Sequence, residues 1–205
     1  MKTGLPMKKR RNGARGTATR TRILDIARAI LTDEGLEAFA LRDVAKRAGV
    51  QLGNLQYYFR SREDLIEAVI AAESHANVDF MDALAENADD LADYVRRLVM
   101  LMIQEYTGLG GKLWPVLRLL RTHSERFRGV SREVYRRHFK SMVLALRHFG
   151  ADGAERELLQ KARLITALID GAAMQAHLWA NAGASPSFRM LCERTGELAV
   201  EIATG

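Results

Sequence analysis

The chain has 205 residues, 48% hydrophobic and 27% charged, which is enough apolar material for one or two packed domains and excludes a disordered composition. Only three prolines occur, and the stretches between glycines are rich in Ala, Leu, Arg and Glu, so the composition points to an all-α fold and away from many short strands. The formal charge is +6, and its surplus lies at one end: residues 1–22 hold eight basic side chains and no acid, which leaves the remainder close to neutral.

Residues 1–16 read as a flexible basic arm drawn to polyanions, with a solubilising tail as the plainer alternative. No apolar run of the kind a secretory signal needs follows the basic residues, and the longest uninterrupted apolar stretch, Leu98 to Ile103, falls far short of a membrane helix. A soluble, cytoplasmic chain is expected. The single cysteine, Cys192, excludes an internal disulfide, suits a reducing compartment and reads as a buried, inert thiol.

Ile23, Ala27, Ile30 and Leu31 form one apolar stripe that predicts a helix from about Thr17 or Thr19 to Gly35. A short second helix runs from Leu41 to Ala48 and stops at Gly49, and a third covers Leu52 to Tyr58. Ser61 caps a fourth, whose apolar face is Leu65, Ile66 and Val69, to about residue 76. Longer helices follow: Leu91 to about Gly108, a short one from Pro115 to Leu120, Phe127 to Phe149, Ala154 to Ala182, and one that Pro186 opens and that runs to Ile202. The expected architecture is all-α with about nine helices and no internal repeat.

The most informative stretch is 41–55. Two helices packed at a steep angle need a small residue at their contact, a left-handed residue in the turn and an aliphatic side chain on the second helix facing the first; Ala45, Gly49 and Leu55 supply these, with Val44 and Val50 beside them. Helices this short are not stable alone, so the first and fourth helices must hold them. Their expected use is to project side chains into a groove about one helix wide.

Thr19-Arg20, Ile23-Leu24, Ala27, Gly35, Val44-Ala45, Ala48-Gly49-Val50, Gly53, Leu55, Tyr57, Phe59, Arg62-Glu63 and Leu65 together resemble the tetracycline-repressor (TetR) family of transcription regulators over about fifty residues. The resemblance implies an N-terminal three-helix helix-turn-helix DNA-binding domain at 17–76, with the motif at about 40–59. A C-terminal helical ligand-binding and dimerisation domain is implied at 77–205. It also implies a homodimer on double-stranded DNA, a palindromic operator, and a repressor released by a small-molecule effector.

Carried over by position, the resemblance assigns groove or base contact to Gln51, Leu52, Asn54 and Gln56, and backbone contact to Tyr57, Tyr58 and Arg62. Arg42 joins the DNA-binding set, and Gly53 lets the backbone approach closely. Departures occur where the family usually has other residues: Ala40 for a capping Thr, Gln51 for a Ser, Gln56 for a Tyr and Tyr58 for a His. They bear on specificity, since an amide paired to adenine discriminates by roughly 1–3 kcal/mol, and they make Gln51 and Gln56 the leading specificity candidates.

Beyond residue 76 the resemblance weakens and periodicity carries the reading. Ile165, Leu168, Ala172, Gln175 and Trp179 on one helix, with Leu191, Leu198 and Ile202 on the last, form stripes suited to a dimer interface; intramolecular packing is the alternative. Met100, Gln104, Trp114, Arg118, Met142 and Met174 would combine soft apolar surface with a few polar heads around a small apolar or amphipathic effector, and plain core is the alternative. No phosphate-binding loop, nucleophile elbow or metal-ligand spacing occurs, so neither an enzyme, a metal nor a cofactor is expected. A competing function is a helical protein-interaction or co-regulator module with a degenerate DNA-binding half and no small-molecule ligand, suggested by Ala40 and by Tyr58; the basic arm and Arg62 argue against it.

Overall fold

The computed structural model describes residues 7–107, 113–176 and 185–205. Among the described residues every regular element is helical: α1 (Met7–Asp33), α2 (Leu41–Arg47), α3 (Leu52–Tyr58), α4 (Arg62–Glu86), α5 (Leu91–Thr107), α6 (Leu113–His123), α7 (Glu125–His148), α8 (Glu155–Ala176) and α9 (Pro186–Thr204). The chain divides into two compact units, Met1–Ile70 and Ala71–Gly205, a boundary inside α4 and close to the expected residue 76. Trp179, and the expected end of its helix, lie outside the described residues.

In the first unit a small core is assembled from one stripe per helix: Ile23 and Ile30 of α1, Val44 of α2, Leu55 of α3, and Leu65 and Ile66 of α4 are all at most 1% exposed. α1 begins at Met7, inside the stretch read as a flexible arm. No proline interrupts residues 7–16, and the basic residues and Ala there are good helix formers, so the helix anchored by Ile23 and Ile30 propagates backwards in spite of Gly13 and Gly16, each of which costs about 1 kcal/mol. α4 is fixed at its start by a reciprocal capping box, the Asp64 N–H donating to Ser61 Oγ at 3.1 Å and the Ser61 N–H to Asp64 Oδ2 at 3.0 Å.

In the second unit α5 packs against α8 and α9, which also pack on each other, while α7 joins α8 to α6. Tyr94, Leu98 and Met102 of α5 meet Leu158 and Ile165 of α8 and Phe188 of α9 in one continuous core. That packing corrects part of the expected dimer interface. Ile165 is fully buried and Ala172 is 4% exposed inside the chain's own core, while Leu168, Leu191 and Ile202 are half-buried against it. One inward stripe of α8 serves α5 and α9, which leaves a partner the partly and fully exposed residues beside it. There Leu164 and Gln175 of α8 and Met190 and Leu198 of α9 are exposed.

Candidate nucleic-acid interface

The helix-turn-helix is built from backbone outward. α2 ends at Gly49, whose φ of 64° is the left-handed conformation that closes the helix, and the Val50 N–H then donates back to the Ala45 carbonyl at 3.0 Å. This turn brings Val50 and Gln51 round so that α3 starts at Leu52. Within α3, Leu55 alone is buried, at 0% exposure; Gln51 just before the helix and Gly53, Asn54, Gln56 and Tyr57 within it are exposed, and Leu52 and Tyr58 are half-buried. One apolar side chain therefore pins the rod, and its other face is presented outward.

That face is uncharged but set among cations. From Val44 to Arg62 the chain contains no acid, and Arg42, Lys46 and Arg60 are exposed around α2 and the α3–α4 turn. Arg20 of α1 stacks its guanidinium 5.3 Å from the centre of the Phe59 ring. Arg47 is drawn aside into a two-pronged pair with Glu34, whose carboxyl that partner holds below its ordinary range. Tyr57 is 82% exposed with its ring edge-on to Tyr58 at 5.3 Å, and a methyl added at Gly16 would lie 3.5 Å from the Tyr58 hydroxyl, which places that hydroxyl beside α1. A Cβ at Gly53 would meet nothing within 4 Å, so no contact inside the chain requires glycine there.

Arg62 has partners that its position in the motif did not announce. Expected to grip a phosphate, it donates from Nε to the Phe39 carbonyl at 2.9 Å and from Nη2 to the Leu36 carbonyl at 2.5 Å, with its guanidinium 5.7 Å from the Phe39 ring centre. Its geometry is that of a clamp on the α1–α2 connection. Arg62→Ala is expected to cost about 1.5–3 kcal/mol in urea denaturation, the range for hydrogen bonds to a charged group. Arg62→Lys should recover only part of this, because an ammonium cannot reproduce the fork.

Residues 23–69 match the model of the family described as bacterial regulatory proteins, tetR family. Over 91% of this chain and 99% of the other, the fold coincides with that of the transcriptional regulator SCO7518 from Streptomyces coelicolor, with a TM-score of 0.70 and 27% identity. The chain carries the tetR-family signature over residues 23–69. Its helix-turn-helix region is 41% identical over 58 residues, 28% of this chain, to an HTH-type transcriptional regulator encoded in the dhlA 5′ region of Xanthobacter autotrophicus. It is 37% identical over 51 residues, 25% of this chain, to the HTH-type transcriptional repressor KstR2 of Rhodococcus jostii. These alignments span 29% and 25% of the two curated relatives, so the likeness to them is confined to the DNA-binding end.

The second unit holds a cavity of about 300 Å³ between α4, α6, α7 and α8. Of the residues expected around an effector, Trp114, Arg118 and Met174 line it. Met142 does not: it is 1% exposed and packed in the main core. Met100, at 43% exposure, and Gln104 also stand outside the lining, on the solvent side of α5. Sequence reasoning missed the polar lining: His138 and Tyr135 of α7 and Asp170 of α8, where the Tyr135 hydroxyl donates to Asp170 Oδ2 at 2.6 Å. The available signal was Asp170 itself, a lone acid between Ile169 and Gly171-Ala172-Ala173. Burial raises the Asp170 pKa, and burial together with the neighbouring carboxylate pushes Tyr135 up to about 12. No cluster of metal-ligating side chains occurs among the described residues, and no helix among them is long and apolar enough to cross a membrane.

Proposed function

We propose that this chain is a sequence-specific DNA-binding transcription regulator, a homodimeric repressor that leaves a two-fold symmetric operator when a small molecule occupies the cavity of the second unit. The observation that carries the reading is α3: a seven-residue rod with Leu55 turned in and Gln51, Asn54, Gln56 and Tyr57 turned out, in a stretch free of acids. Gln56, Asn54 and Gln51 offer paired donor and acceptor atoms to base edges. Arg42, Lys46 and Tyr57 serve the phosphates, in a role that positions without specifying. Leu164, Met190 and Leu198 form the exposed apolar face suited to a second copy, and dimerisation would set the spacing of two half-sites by whole helical turns. Residues 17–70 form the DNA-binding domain in this reading, and 71–205 the effector and dimer domain. The repressor assignment follows KstR2, and release follows from linkage: an effector that binds the DNA-incompetent conformation more tightly depopulates the competent one and so lowers the protein's apparent affinity for DNA. The role is one of binding; no catalytic step is assigned.

Sequencing the genomic DNA retained by the purified protein, then titrating one recovered site by fluorescence anisotropy across a salt series, tests the reading. A regulator binds that site about 10³-fold or more tighter than random duplex, and its affinity falls with salt at about 0.9 log units per phosphate contact for each log unit of salt. Equal, weak binding to every sequence would instead support a protein-interaction module.

A further inference from the structure

His138 lines the cavity, is 8% exposed, and its Nε2 has no hydrogen-bond partner among the described residues. A buried, unpaired ring nitrogen is costly inside a folded chain and is tolerated where something outside the chain completes it. The Tyr135–Asp170 pair opens on the same cavity, and its remaining lone pairs accept hydrogen bonds. The rest of the wall mixes apolar Val78, Trp114, Val134 and Ala173 with Ser74, Asn77, Thr166 and the cation Arg118.

Charge decides what kind of head fits. An anionic group would be drawn to Arg118 but would also face the Asp170 carboxyl, in a poorly solvated space. A cationic group would find that carboxyl already within the field of Arg118 and Arg121. An uncharged hydroxyl satisfies both requirements, donating to Asp170 or Tyr135 while meeting His138 Nε2, and it adds no charge to the cavity. The volume, about 300 Å³, is at the small end of ligand pockets.

Resting on the reading of the second unit as the effector domain, we propose that the cavity takes a compact, uncharged molecule, an apolar body bearing one hydroxyl, held by His138 and the Tyr135–Asp170 pair. The probes are para-tert-butylphenol, tert-butylbenzene, para-tert-butylbenzoate and para-tert-butylbenzylammonium, titrated calorimetrically into the full-length protein at neutral pH. The phenol is expected to bind about tenfold tighter than each of the others. His138→Leu should bring it down to the level of the hydrocarbon while leaving hydrocarbon affinity unchanged, and Asp170→Asn, checked by its thermal melt, should shrink the same preference. Tightest binding of the benzoate, the ammonium or the bare hydrocarbon overturns the proposal, as does an undiminished phenol preference in a folded His138→Leu protein. DNA anisotropy on the same samples separates the two readings. Specific DNA binding without phenol preference defeats the ligand inference alone, and phenol preference without specific DNA binding supports it while defeating the regulator reading.

Discussion

Leu55→Ala and Gln56→Ala, one residue apart, are expected to fail in opposite ways. Leu55 is wholly buried and is the only buried residue of α3, so truncating it leaves a cavity where the rod meets the bundle. The expected loss is about 2–5 kcal/mol of unfolding free energy. In a unit this small that loosens α3 altogether, and DNA affinity should disappear for specific and random duplexes alike. Gln56 is exposed, and its truncation should leave urea denaturation unchanged within about 0.5 kcal/mol. What it should remove is roughly 1–3 kcal/mol of discrimination at one base pair, read as a flattened preference in competition anisotropy with single-site operator variants. If Gln56→Ala unfolded the domain, or if both variants kept the full base preference, the division of α3 into a packed side and a reading side would be wrong.

The second large effect is a pH dependence centred on His138. Burial lowers its pKa from 6.5 to about 4, because the imidazolium would have to exist without water. Between these values the unfolded chain binds a proton that the folded chain refuses, so stability is full above about pH 6.5 and is lost as pH falls toward 4. At 1.36 kcal/mol per pKa unit the loss is ~3 kcal/mol. Asp170, raised by burial, acts in the opposite sense, since its folded form holds a proton that the unfolded form releases. The clean quantity is therefore the difference between the wild-type protein and His138→Leu in urea denaturation from pH 4 to 7. The variant should lack the His138 component of the slope, and identical slopes would show that His138 charges freely in the folded state.

The helix-turn-helix half was legible in the sequence to a degree that the C-terminal half was not, and the reason is separation along the chain. Ala45, Gly49 and Leu55 act on neighbours within a few residues, so periodicity and one left-handed turn suffice to place them. Arg62 is at the correct helix start, yet its partners are the carbonyls of Leu36 and Phe39, more than twenty residues back, and no local pattern announces them. The Tyr135–Asp170 pair joins residues 35 apart, and His138 lies on a helix whose abundant arginines read as solvated surface. Ile165 and Ala172 show the other limit. A stripe of apolar residues tells that a helix buries one side, but not whether its own chain or a second copy covers it.

The two helices of the reading head are held at their entrances quite differently from α4. α2 and α3 have no side-chain cap: Asp43 and Val44 share the carbonyl of Ala40, and Asn54 and Leu55 share that of Gln51. At the head of α4, by contrast, Ser61 and Asp64 spread the load over side chain and backbone. Fewer groups therefore hold the first turn of α2 and of α3 than hold that of α4, and losing the Ala40 or Gln51 carbonyl bonds would leave those turns without a side-chain substitute.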